Sequence, residues 1–147
     1  MQYSRREALV GAGAVFISVS CAPVFAQGAV KGIIDQFAAG KTPQQGKVEL
    51  EIPFTADNPN AVPVGLKVDS PMTEASYCRE VALIAEGNPR PLVCRFSFTP
   101  GLSVPQLSTR IRLAETQHVT LLAKMNDGSV FITRKEITVT AGGCGGI

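Results

Sequence analysis

The residue whose type and setting most clearly offer chemistry is Cys144, a lone thiol in the run Ala141-Gly142-Gly143-Cys144-Gly145-Gly146-Ile147. Glycine lacks a Cβ and loses the most conformational entropy on ordering, so this run is expected to behave as a flexible arm in free solution. At ~3.3 to 3.6 Å per extended residue, the four steps from Thr140 to Cys144 would carry the sulfur on the order of 13 to 14 Å from the body of the protein. Gly142, Gly143, Gly145 and Gly146 also make the backbone on either side as thin as a polypeptide can be, which suits a thiol that must enter a narrow channel in another protein. A catalytic thiol needs the opposite, a rigid pocket holding a base and an oxyanion site. A thiol in open solvent titrates near ~8.5, so only a few per cent is thiolate at neutral pH and activation must come from whatever protein receives it.

The remaining candidates offer less. Cys78 and Cys94 lie inside the expected fold and could form a bridge worth roughly 3 kcal/mol on a loop-entropy argument, or remain two inert thiols that pack as small hydrophobes. A bridge would remove two thiols able to exchange with a disulfide formed at Cys144. His118 is the sole histidine of the chain and, even with Cys144, supplies too few ligands for a tetrahedral metal site. Arg110 and Arg112 could contact an anion or a partner, or simply keep a strand edge soluble. No Ser/His/Asp set, carboxylate pair, phosphate-cradling loop or Cys-x-x-Cys motif stands out, so neither a catalytic residue nor a bound cofactor is expected.

These residues must be positioned by the elements between them. Val30, Ile33, Ile34, Phe37 and Ala38 follow helical spacing, and Gly40 falls where a left-handed cap would end that helix, predicted at about residues 29–39. The period then changes to two. Val48, Leu50, Ile52 and Phe54 alternate with polar residues as a half-buried strand that Pro53 marks as an edge or an end. A second strand follows over Val62 to Val68, interrupted by Pro63. Cys78–Ala85 and Leu92–Phe98 form a hairpin across Glu86-Gly87-Asn88-Pro89-Arg90-Pro91. Leu107 to Leu113 sends Arg110 and Arg112 out from one face, and His118–Met125 pairs with Ser129–Thr140 through the turn Asn126-Asp127-Gly128. Seven short strands at even spacing predict an all-β, immunoglobulin-like antiparallel sandwich over residues 27–140, with a small Greek-key barrel as the alternative.

The first 26 residues are read as an export signal. Ser4-Arg5-Arg6 precedes an apolar, Gly- and Ala-rich run, and Val24-Phe25-Ala26 offers a cleavage site. Arg5 and Arg6 suit a twin-arginine signal, with Ala8 where Phe is usual, and a general secretory signal is the alternative. Cys21 would be removed with the signal; Ser18-Val19-Ser20-Cys21 fits a lipoprotein box poorly. The periplasm is the expected destination. Cleavage after Ala26 leaves 121 residues with twelve basic and eleven acidic side chains. A chain of this size buries roughly two thirds of its unfolded surface, enough for one core. The whole sequence carries a formal charge of +2 and is 45% hydrophobic, which argues against a nucleic-acid partner and against a disordered chain. No membrane association is expected once the signal is gone.

The terminal Gly-Gly-Cys-Gly-Gly motif resembles that of the SoxY family, sulfur-carrier subunits of the thiosulfate-oxidising multienzyme system. The twin-arginine start, Asp69-Ser70-Pro71-Met72-Thr73-Glu74, Ser108-Thr109-Arg110-Ile111-Arg112-Leu113-Ala114 and Asp127-Gly128-Ser129 look like that family in the same order. The resemblance implies that Cys144 carries covalent sulfur intermediates. A c-type haem enzyme would conjugate thiosulfate to it, a hydrolase would release sulfate, and a sulfane dehydrogenase would oxidise the sulfur left behind. It also implies a heterodimer with a second carrier subunit, SoxZ, exported together with this chain. Such a chain is a substrate of enzymes and not itself a catalyst. The competing reading from the residues alone is an immunoglobulin-like assembly module whose terminal Cys144 only cross-links.

Overall fold

The computed structural model describes residues 24–140, with side chains from Gln27 onward. One helix and nine strands form three layers. Helix α1 (Val24–Ala38) is followed by β1 (Gln44–Gln45), β2 (Val48–Glu51), β3 (Thr55–Ala56), β4 (Val62–Val68), β5 (Cys78–Ala85), β6 (Leu92–Ser97), β7 (Gln106–Ile111), β8 (Gln117–Met125) and β9 (Val130–Val139). The larger sheet has the order β1-β9-β8-β5-β6, with β3 also pairing with β9; the smaller has the order β2-β4-β7. Two stacked sheets, and no closed barrel, make this the immunoglobulin-like sandwich that strand count and spacing predict.

Val81, Leu83 and Ala85 of β5 face the smaller sheet together with Val119, Leu121 and Ala123 of β8, where they meet Leu50, Val62, Val64, Leu66 and Val68. The alternate residues Ala82, Ile84 and Leu122 face the other way, against Val30, Phe37 and Ala38 of α1. Coverage on both faces explains why β5 and β8 read as nearly continuous apolar runs. Phe37 is buried between two cations: Lys124 Nζ lies 5.0 Å and Arg95 Cζ 5.5 Å from its ring centre. Among the described residues no helix is long and apolar enough to cross a membrane.

Several local expectations hold. Ala39 (φ 50°) and Gly40 (φ 83°) leave the helix in the left-handed region, and Ala39 N donates to Asp35 O at 3.0 Å. In the β8–β9 turn, Gly128 N donates to Met125 O at 3.0 Å and Gly128 takes φ 85°, the arrangement that a three-residue hairpin with a glycine bulge requires.

Others are corrected. The helix begins at Val24, five residues before its predicted start. Pro63 does not interrupt β4, because β2 has already ended at Glu51, opposite Gly65, so β4 has no neighbour on that side where the proline stands. Phe54 is not an inward-facing strand residue. The chain turns after Pro53, and Phe54 is 91% exposed while its carbonyl accepts the N–H of Thr138 at 2.9 Å. Two strands, β1 and β3, were not expected; each pairs two residues, in parallel, with β9.

Candidate functional site

Cys144 and Gly142, Gly143, Gly145 and Gly146 lie outside the described residues, as do Arg5 and Arg6 of the signal. What the structure supplies is the root from which residues 141–147 depart. The last residues of β9 are held from two sides. On one side Thr55 and Ala56 of β3 run parallel to Thr138 and Val139, and Thr140 N donates to Ala56 O at 3.3 Å. Thr140 Oγ1 lies 3.1 Å from Asp57 Oδ1 and 3.3 Å from Ala56 O. On the other side Val139 N donates to Thr116 Oγ1 at 3.0 Å. Backbone groups that a chain end would normally leave to water are therefore paired up to Thr140, which fixes the point where the glycine run begins.

The loops around this root are tied together. Gln117, buried, accepts from Gly87 N at 2.7 Å and donates through Nε2 to Asn88 Oδ1 at 3.0 Å. Asn88 in turn donates to Arg112 O at 2.8 Å and accepts from Ala114 N at 2.9 Å. The β5–β6 and β7–β8 loops are thus joined by side-chain hydrogen bonds. Beside them a groove of about 830 Å³ opens between α1 and the larger sheet, lined by Val30, Ile34 and Ile132 and by Glu86, His118 and Arg134. Arg134 grips Glu86 with two parallel bonds, at 2.8 and 2.7 Å, and the buried Thr120 hydroxyl adds a third at 2.6 Å. These contacts, the guanidinium first, hold the Glu86 carboxyl below the usual carboxylate range.

Cys78 and Cys94 are both free thiols, the second of the two readings that the sequence left open. Cys94 of β6 stands opposite Leu83, five positions along β5 from Cys78. At ~3.3 Å per residue that is about 16 Å, more than twice the longest Cα separation that a disulfide spans. A bulge at Arg79 turns Cys78 into the core, where it is fully buried. Burial pushes its thiol up to about 11 and raises that of Cys94 as well. Cys78 is shut away from reagents, and Cys94 stays partly accessible with a raised thiol.

His118 lies half-buried on β8, in register with Glu136, and lines the groove. Among the described residues no three His, Cys, Asp or Glu side chains gather as a metal site would require. Arg110 and Arg112 point outward, alternating with the inward Thr109, Ile111 and Leu113. The clamp of Thr116, Asp57 and β3 on the end of β9 was missed. A two-residue parallel pairing carries no periodic signal, and only the polar density of Thr138, Thr140, Thr116 and Asp57 hinted at it.

The fold recurs in two groups of known proteins. The sulfur carrier protein SoxY from Chlorobium limicola f thiosulfatophilum superposes with a TM-score of 0.63 at 22% identity, over 78% of this chain and 98% of that one. A superoxide reductase (neelaredoxin) variant from Ignicoccus hospitalis superposes at 0.59 and 22% identity, over 72% and 89%. A crystal structure described as a putative superoxide reductase from Thermotoga maritima gives 0.56 and 20%, over 71% and 90%. At these identities the likeness is one of fold. No curated protein matches by sequence. The class defined so far is an immunoglobulin-like sandwich with a clamped terminal strand leading into a cysteine-bearing glycine run. The family model for the sulfur oxidation protein SoxY matches residues 34–144, ending on the cysteine itself, and the chain belongs to that family of sulfur carriers.

Proposed function

We propose that Cys144 is the covalent attachment point for sulfur intermediates of thiosulfate oxidation, presented to successive enzymes on the arm formed by residues 141–147. The observation that carries this reading is the family match, which runs through the whole sandwich and reaches Cys144. Conjugation joins the Cys144 sulfur to the sulfane sulfur of thiosulfate and releases two electrons and the thiol proton to a c-type haem enzyme. Hydrolysis then breaks the bond between the sulfane sulfur and the sulfonate, giving sulfate and a persulfide. A sulfane dehydrogenase takes six electrons from the persulfide's outer sulfur while three waters supply the oxygens of a sulfonate and release six protons, and a second hydrolysis returns the thiol and a second sulfate. The protein supplies attachment and positioning in this cycle, and the partner enzymes supply the catalysis.

Two features of the sandwich support the assignment. The root at Thr140 is pinned, so the reach of the arm is measured from a fixed point. Cys78 and Cys94 are free but buried or half-buried with raised thiols, which protects a persulfide on Cys144 from exchange within the same chain. The family further implies work beside other proteins of the system, such as SoxZ. We assign the chain to the periplasm, exported by the twin-arginine route in a heterodimer with SoxZ. In Cys144→Ser, thiosulfate-dependent electron flow in the reconstituted system should vanish while the fold and the heterodimer persist. Retained electron flow would refute attachment at Cys144, and a change confined to oligomeric state would favour the cross-linking module.

A further inference from the structure

The two open sides of the sandwich are treated differently by the chain. On one side β9 is covered by β1 and β3, and β2 packs alongside. On the other, β6 ends the larger sheet and β7 ends the smaller one, and among the described residues neither has a further neighbour. A bare edge of this kind offers a row of unpaired N–H and C=O groups, and soluble proteins ordinarily blunt it with charge, proline or a covering segment.

Here the side chains beneath the edge are apolar. Cys94, Phe96, Phe98 and Leu107 belong to the core between the sheets but are only partly buried, because no strand closes over them. The loop that crosses from β6 to β7 adds Leu102, 86% exposed, and Val104, 73% exposed. Exposed apolar side chains of this sort, next to an unpaired strand, mark an interaction site. Charge indicates the occupant. From Gly87 to Ala114 the chain has four arginines, Arg90, Arg95, Arg110 and Arg112, and no acidic residue. Of these, Arg95 alone has a carboxylate partner among the described residues, Glu80 at 3.6 Å. The Leu102–Val104 loop also lies at the end of the sandwich opposite the arm root, since β9 runs from the β8–β9 turn toward Thr116 while β6 runs back toward Thr99.

We infer that the β6–β7 edge is the docking surface for an unlike protein chain that adds a β-strand alongside β6, covers Leu102 and Val104, and rims the contact with acidic side chains. This rests on the carrier reading only in naming SoxZ as the chain to use in the test.

The experiment uses the Cys144→Ser protein co-produced with SoxZ, in which Cys94 is a native reporter: it lies on β6 and is half-buried, whereas Cys78 is fully buried. Backbone hydrogen exchange at residues 92–98 should slow at least about tenfold in the complex relative to the isolated chain, and alkylation of Cys94 should slow in parallel. The double variant Leu102→Asp, Val104→Asp, altered only at exposed positions, should keep the melting temperature of the parent and weaken the heterodimer about tenfold or more. Protection confined to α1 or to the β1/β3 side, or a double variant that binds SoxZ as tightly as the parent, would overturn the inference. So would a homodimer of this chain that the double variant abolishes, because the edge would then seat a second copy. Loading is read separately, by mass of the chain that keeps Cys144, so failure of the carrier assignment and failure of this surface give different results.

Discussion

Thiol selectivity is the sharpest consequence of the fold for the carrier chemistry. The mature chain contains three cysteines if cleavage follows Ala26, and only Cys144 should react quickly. Cys78, pushed by burial from an ordinary value of 9.0 up to about 11, presents roughly 100-fold less thiolate at pH 7 than the same thiol unburied. It is also fully buried on β5, paired with β8 through Met125, so a reagent reaches it only when that part of the sheet opens. The combined suppression is therefore on the order of 100-fold or more for Cys78, and smaller for Cys94, which is partly accessible and raised by burial alone. The assay is iodoacetamide labelling of the native protein at pH 7, quenched over time and mapped by peptide mass, with a guanidinium-unfolded control in which all thiols react alike. One fast site at Cys144, a slow Cys94 and an essentially silent Cys78 are expected. Labelling of Cys78 within tenfold of Cys144, or recovery of a Cys78–Cys94 disulfide peptide after mild oxidation, would refute the register and burial on which the reasoning stands.

Three further outcomes follow from named contacts. Gly128→Ala forces a Cβ into a left-handed turn position, φ 85°, and should destabilise the protein by about 1 to 2 kcal/mol in denaturant titration, without changing Cys144 labelling. Glu86 has a folded-state carboxyl depressed mainly by Arg134, so its contribution to stability is present above the ordinary titration range of a free glutamate and is lost as pH falls through the lower folded value. The stability advantage of the parent over Glu86→Gln should accordingly be largest above about pH 5 and shrink below about pH 4, as followed by chemical unfolding across that range. Thr116→Val removes the hydroxyl that accepts from Val139 N and should speed exchange of the Val139 amide, with global stability lowered by about 1 kcal/mol or less.

Much of this protein was legible in residue order because strong local signals agree with the fold. Alternation at Val48 and Leu50, at Val62 to Leu66 and at Leu107 to Ile111 shows directly which face is buried, and Asn126-Asp127-Gly128 and Gly40 mark their turns by backbone requirement alone. The arm could be read from composition, since a thiol among four glycines has few structural explanations. What was hidden depends on partners distant in sequence. The choice between a Cys78–Cys94 bridge and two free thiols stayed open because a bulge and a five-residue offset decide which side chains meet, and neither is encoded in strand assignment. Phe54 was misplaced because the need of Thr55 and Ala56 to pair with β9 overrode the alternation of the preceding strand. The clamp at Thr140 joins residues as far apart as Asp57 and Thr116, a contact that no window along the chain contains.

Whether Cys144 carries sulfur is tested most directly by intact mass of the protein from thiosulfate-fed cells, before and after reductant, with mapping of any adduct. Reductant-sensitive additions of sulfur, sulfonate or thiosulfonate on Cys144 are expected, and none on Cys78 or Cys94. An unmodified Cys144 under turnover, or one found only in an intermolecular disulfide, would contradict the carrier assignment.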